Sequence, residues 1–201
     1  MTGLTFDAAS HTYRFNGHEV PGVTSILAPL SDFSGVPRDV LDAASAFGTA
    51  VHLACELDDL GELDEAALDH ALVPYLMAWR AFCRDHKTDW YEVEKTVFHE
   101  SLRYAGTLDR LGIVDGGLSV VDIKTSAQLY PSVGPQLAAY AEASGNAHAQ
   151  RIAVQLKGDG TYVFKHFNDP VDFPVFVSLL TVRNWCVRRS IKPTIKGPTN
   201  E

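Results

Sequence analysis

Along this chain the spacing of apolar and polar residues changes period several times, and each change predicts an element. Thr12-Tyr-Arg-Phe15 followed by Asn16-Gly17 is a hairpin signal, because Asn-Gly accepts the positive φ values of a two-residue turn. An N-terminal β-hairpin is therefore predicted over residues 4–22, ended by Pro21-Gly22. Thr24 is placed to cap a short helix through Leu27. From about Arg38 to Leu60 apolar and small residues recur at helical spacing, and a second helix is predicted from about Asp64 to about His86, kinked or split at Pro74. From Trp90 the period falls to two. Segments 91–98, 104–114 and 118–125 read as a three-strand meander, turning at Ser101-Leu-Arg103 and Asp115-Gly-Gly117. A helix over 132–143, strands over 151–156 and 161–167 joined by Lys157-Gly-Asp-Gly160, and a last helix over 171–190 follow. Strands interleaved with helices predict an α/β fold with a mixed central β-sheet flanked by helices. Only the 31–37 connection and the tail from about Pro193 read as weakly structured, and there is no internal repeat.

Composition narrows this picture without changing it. A length of 201 residues fits one domain with a sizeable core, taken here as 1–201 with the core at about 38–190. The 46% hydrophobic and 21% charged residues are ordinary for a soluble protein. No uninterrupted apolar run approaches the roughly 18 residues of a membrane helix, so no membrane partner is expected. The first residues have neither the basic start nor the apolar stretch of a secretory signal, which points to an intracellular, cytoplasmic protein. Cys55, Cys83 and Cys186 lie far apart and form no CxxC pair, so they read as small core residues. A net charge of −8 argues against a surface coated for nonspecific DNA binding, though not against a DNA substrate. Arg183, Arg188, Arg189, Lys192 and Lys196 gather near the C-terminus, either as a local basic face or as a solvated helix end.

The chemistry concentrates between Tyr104 and Tyr140. In the strand around Val120-Val-Asp-Ile-Lys124, alternation puts Asp122 and Lys124 on one face and Val121 and Ile123 on the other. Charges in an apolar strand cost several kcal/mol unless they are paired or bound to an ion. Asp122 follows Asp109 by thirteen positions, the distance that one strand, a tight turn and the next strand need to bring two side chains together. Two such carboxylates suit a hard cation, Mg²⁺ or Mn²⁺, and Lys124 beside it is suited to hold an attacking water after losing some basicity. Hydrolysis of a phosphodiester follows naturally. A structural Asp–Lys pair at a strand end is the alternative. On the first long helix, His52 and Glu56 lie one turn apart after Gly48, so a metal is approachable from that side; the plain alternatives are a hydrogen-bonded histidine and a solvated acid. Gln136 and Tyr140 share a helix face after Pro135, where core packing explains Tyr140 well and Gln136 poorly.

The ordered set Gly48-Thr49-x-x-His52, Glu94, Gly106-Thr107-Leu108-Asp109, Asp122-Ile123-Lys124-Thr125 and Gln136-x-x-x-Tyr140 resembles the PD-(D/E)XK nuclease superfamily, and within it the RecB-like branch that includes phage recombination exonucleases. The opening His11-Thr-Tyr13, Gly17 and Val20-Pro-Gly-Val-Thr-Ser-Ile-Leu27 is similar to phage members of that branch. The resemblance implies a restriction-endonuclease-like core. It implies that His52, Asp109, Asp122 and the Ile123 carbonyl hold one or two Mg²⁺ or Mn²⁺ ions, that Lys124 positions the nucleophilic water, and that Glu94 is a further acid. Glu92, two positions away on the same face, is its only rival. Thr125, Gln136 and Tyr140 would contact substrate or orient the lysine. Leu108 stands where the superfamily's name has proline, and the cysteine cluster of the iron–sulfur members is absent. The implied activity is a metal-dependent DNA exonuclease in phage-type recombination or end processing, in a bacterial or phage-infected cell. A single-strand-annealing or single-strand-binding protein and further copies of the chain are its expected partners. The alternative is a noncatalytic module on the same fold that binds DNA ends or a partner protein.

Overall fold

In the computed structural model, which describes residues 3–8, 10–31, 33 and 35–191, the period-two segments pair into two sheets. The first is an antiparallel meander of β1 (Leu4–Asp7), β2 (Thr12–Phe15) and β3 (His18–Val20). It extends the expected hairpin by one strand, with Phe6 opposite Tyr13 and Leu4 opposite Phe15. The second has the order β4-β5-β6-β7-β8: β4 (Asp89–His99), β5 (Tyr104–Val114), β6 (Gly117–Lys124), β7 (Gln150–Leu156) and β8 (Tyr162–His166). All of its pairings are antiparallel except β6–β7, which is parallel. That one parallel step needs a crossover, supplied by helix α4 (Val133–Ala143) between the two strands. The sheet is thus mixed, as the alternation of elements predicts.

Helices cover both faces. α1 (Val23–Leu27), α4 and α5 (Asp172–Arg189) pack on one side around Val23, Tyr104, Leu108, Val120, Leu137 and Phe176. α2 (Arg38–Asp59) and α3 (Val73–Asp85) cover the other around Val51, Trp79, Phe82, Val121, Ile123 and Val154. Val120 and Val121, adjacent in β6, belong to opposite cores, which is the alternation read from the sequence. A small third cluster of Tyr13, Val20, Phe98 and Ala105 fastens the first sheet to β4 and β5. Cys55 and Cys186 are buried, Cys83 is partly so, and all three are free thiols.

Three local expectations change. The helix predicted from Asp64 begins at Val73, because Asp64 and Asp69 accept the backbone N–H groups of Ala66 and Ala71 and hold that stretch in turns. Pro74 neither kinks nor splits a helix; it lies in the first turn of α3, where its missing N–H costs nothing. Thr24 sits inside α1, whose N-cap is Gly22 with no side-chain cap. The 31–37 connection lies partly, and the tail from 193 with Lys192 and Lys196 wholly, outside the described residues. By length and composition alone α2 is apolar enough to cross a membrane, with a mean hydropathy of 1.2 over an 18-residue window, a property that a count of unbroken apolar runs misses.

Gly112 marks how closely β4 and β5 approach. The register of β4 shifts between Trp90 and Glu92, and a Cβ on Gly112 would meet the Asp89 carbonyl and lie 2.8 Å from Trp90 Cα. Gly112→Ala is therefore expected to destabilise the protein by about 1–3 kcal/mol in urea unfolding. An unchanged midpoint would mean that β4 gives way freely.

Candidate active site

The β5–β6 ladder runs from Val114 opposite Gly117 to Arg110 opposite Val121, and there it stops. Beyond that point β5 stays paired with β4 as far as Tyr104, while β6 stays paired with β7 as far as Lys124. The two strands part. Asp109 and Asp122 are the first residues past the last pair, one on each side of the opening. The Asp109 carboxylate spans it, with Oδ2 accepting the Ile123 N–H at 2.6 Å. A side chain thus takes over the backbone donor that the interrupted ladder leaves.

On the α4 side, Asp122 is 1% exposed, and its Oδ2 lies 2.7 Å from Lys124 Nζ. Gln136 Nε2 donates to Asp122 Oδ1 at 3.0 Å and to the Tyr140 hydroxyl at 3.2 Å. Gln136, which packing explains poorly, therefore brackets the buried acid. Gly106 makes room for Tyr140, since a Cβ there would lie 2.6 Å from the ring. Burial pushes the Asp122 carboxyl up to about 6 against the pull of Lys124. Burial disfavours the Lys124 ammonium too, but Asp122 and Asp109 outweigh it and hold the amine above its ordinary range. The loss of basicity expected for Lys124 belongs to a site that holds a cation; with the acids alone, their pull runs in the opposite direction.

From the other side α2 delivers His52. Its Nε2 lies 3.0 Å from the Ile123 carbonyl, and its Nδ1 lies 3.6 Å from Asp109 Oδ2 and 3.8 Å from Glu94 Oε1. A proton on Nε2 shared with that carbonyl leaves the Nδ1 lone pair facing the acids. His52, Glu94 and Asp109 each offer one ligand atom, and the three lie within 4.8 Å of one another. Burial alone would lower the His52 pKa, but the carboxylates of Asp109 and Glu94 prevail and raise it to about 9. α2 comes close enough because Gly48 is bare: a Cβ there would lie 3.3 Å from the Thr125 hydroxyl oxygen.

Set against the sequence reading, the expected residues converge, but two are engaged differently. The Ile123 carbonyl meets His52, and Asp122 turns to Lys124 and Gln136, outside the trio of mutually close ligand atoms. Glu94 stands inside it. The period-two argument puts Glu92 on the same face as Glu94, yet Glu92 pairs at the surface with Lys95 Nζ at 2.9 Å. Glu94 has a φ of +47°, a left-handed residue in the middle of β4 that reverses the alternation and turns its carboxylate inward. Glu56 belongs neither to the trio nor to the cleft. That cleft, about 450 Å³, is lined by His52, Glu94, Asp109, Asp122, Lys124 and Gln136 among others. The ligand set suits a divalent cation: hard carboxylate oxygens, an imidazole with an oriented lone pair, and a buried Asp122 Oδ2 with no hydrogen bond of good geometry.

Sequence reasoning missed the support beneath this site. The Arg110 side chain is fully buried; its Nε donates to Asp59 of α2 at 2.7 Å, and its Nη1 to Glu94 at 3.2 Å and to the Asp109 carbonyl at 2.7 Å. Its guanidinium carbon lies 5.4 Å from the Trp79 ring centre. An arginine between Asp109 and the apolar run Leu111 to Val114 was the available signal.

Residues 30–179 match the family model of the PD-(D/E)XK nuclease superfamily. No curated protein matches the sequence. Among solved structures the chain is similar to LHK-Exo in complex with dAMP, at 11% identity and a TM-score of 0.49, covering 85% of this chain and 89% of that one. It is similar to the alkaline exonuclease LHK-Exo from Laribacter hongkongensis, at 12% identity and a TM-score of 0.42, covering 84% and 91%. SSO0001 is similar at 14% identity and a TM-score of 0.46, covering 85% and 76%.

Two outcomes follow from the site. Arg110→Met leaves Asp59 and Glu94 without their buried partner, and urea unfolding should show a loss of roughly 3–5 kcal/mol; a loss below about 1 kcal/mol would mean that Arg110 is not what holds them. For His52, the folded pKa lies above the ordinary 6.5, so its contribution to stability is complete below pH 6.5 and disappears as pH rises through about 9. A divalent cation and a proton compete for Nδ1. Titration of Mn²⁺ at pH 7.5, in buffers of different ionisation heat, should show release of about one proton and tighter binding toward pH 9. Binding that releases no proton and ignores pH would rule out His52 as a ligand.

Proposed function

From the premise that the chain belongs to the PD-(D/E)XK nuclease superfamily and is a nuclease, we propose that it is a metal-dependent deoxyribonuclease, an exonuclease acting at DNA ends in recombination or end processing. The observation that carries the reading is one cleft at a strand opening that holds both the His52–Glu94–Asp109 trio and the Asp122–Lys124 pair. Mg²⁺ or Mn²⁺, one or two ions, is the expected cofactor, since carboxylate oxygens dominate the donor set. Bound there, such an ion would neutralise phosphate charge and make water a better nucleophile.

His52, Glu94 and Asp109 would hold the ion, with Asp122 at the margin of the same cleft. Held in its charged form, Lys124 donates hydrogen bonds: it orients the attacking water and offsets the negative charge that builds on the phosphate oxygens. Gln136 fixes Asp122, and through it the position of the Lys124 ammonium. The Tyr140 hydroxyl, burdened by burial and by the acids, stays protonated and serves as a hydrogen-bonding group. Thr125, just past the end of β6 and beside Gly48, would contact the DNA backbone. Exonuclease action is supported by the ordered motifs shared with phage recombination exonucleases. The chain's net charge of −8 supports reliance on a single-strand-annealing or single-strand-binding protein, or on further copies of the chain, for grip on DNA.

The test is a labelled linear duplex incubated with Mg²⁺ or Mn²⁺ beside a covalently closed circle. The linear substrate should shorten from its ends, the circle should stay intact, and EDTA should stop the reaction. Asp109→Asn, Asp122→Asn and Lys124→Ala should each lower the rate by about a hundredfold or more while still unfolding cooperatively on heating. Full activity of Lys124→Ala would refute the mechanism, and binding without any cleavage would favour the noncatalytic module.

A further inference from the structure

One wall of the cleft plays no part in the chemistry above. Phe6, His11 and Tyr13, from the N-terminal sheet, line the same cavity as the acids and Lys124. The Tyr13 ring is buried, and its hydroxyl is hydrogen-bonded to Thr107 Oγ1 at 3.1 Å, so it forms a fixed floor. Phe6 stacks on it with ring centres 4.5 Å apart and planes 26° from parallel. His11 stands edge-on to Phe6 at 5.2 Å, held in a left-handed turn with a φ of +48°. Phe6 is 37% exposed and His11 is exposed as well. A single exposed phenylalanine needs no explanation. Rings stacked on a fixed tyrosine, in the cavity that also holds the carboxylates, do.

We infer that Phe6, backed by Tyr13 and flanked by His11, is a stacking site for a nucleobase of the strand being cut, next to the phosphate held at the acidic end of the cleft. The inference deepens the nuclease reading and rests on it. The acidic end gives a polyanion little to hold: Glu94, Asp109 and Asp122 face it, with Lys124 already paired to Asp122. Stacking requires no charge. Every base has a π-face, so a ring platform grips any sequence. The volume of about 450 Å³ lies within the range of sites that bind small molecules.

A single-stranded oligonucleotide with 2-aminopurine at its end reports stacking by loss of fluorescence, and in EDTA it does so without cleavage. The wild-type chain should quench it. Phe6→Leu, which keeps an apolar body on Tyr13 but no aromatic face, should abolish the quenching, and Phe6→Trp should restore it. With Mg²⁺, Phe6→Leu should raise KM for DNA about tenfold and leave kcat within about twofold, because stacking is made equally in the ground and transition states. The salt dependence of binding should not change, since no phosphate contact is lost. Quenching by Phe6→Leu equal to wild type, with an unchanged KM, would overturn the stacking site while leaving the nuclease reading intact. Quenching by a wild-type chain that cleaves nothing with either ion would uphold the stacking site and remove the nuclease reading.

Discussion

The site depends on one hydrogen bond, from the Ile123 N–H to the carboxylate of Asp109 across the gap where β5 leaves β6. Without the parting there is no cleft, and without the carboxylate the parting leaves a buried donor unpaired, a cost of about 1–3 kcal/mol. The same side chain faces His52 Nδ1 with its Oδ2. Asp109 therefore bridges the parted strands and faces the candidate ligand group through one carboxylate. Its neighbour Arg110 continues the division of labour by reaching beneath the site to Asp59 and Trp79.

Charge in this region is arranged in layers. Nearest the cleft, acids outnumber bases, and the imidazole and the amine both respond by holding protons above their ordinary ranges. Below that layer Arg110 supplies a permanent positive charge that lacks a route to water and joins Asp59, Glu94 and the Asp109 carbonyl. A guanidinium suits the place better than an amine, because its planar fork reaches partners on three elements at once. One of its nitrogens, Nη2, remains without a partner, so the network is satisfied in part and not in full.

Much of this was legible along the chain because it follows from period. The pairing of β5 with β6, the separation of Val120 from Val121 into opposite cores and the meeting of Asp109 with Asp122 all come from alternation and turn position. The motif residues His52, Lys124, Gln136 and Tyr140 converge on one cleft with Asp122, while the Ile123 carbonyl meets His52. What stayed hidden has physical reasons. Glu94 reverses the face of β4 through one backbone angle, which no period records. The start of α3 was displaced by Asp64 and Asp69, whose side chains compete with the helix for backbone donors. Arg110 and Asp59 lie 51 positions apart, and only the packing of α2 on the sheet brings them together.

Glu94 sets stability and usefulness against each other at a single position. Its handedness is the one glycine adopts freely and other residues reach at a penalty of about 1–2 kcal/mol. A glycine there would relax the strand and delete the acid. A single substitution that favoured a more stable sheet would thus keep the architecture and remove one of the three mutually close ligand atoms. A glutamate held at that angle keeps its carboxylate facing the cleft at the expense of backbone comfort.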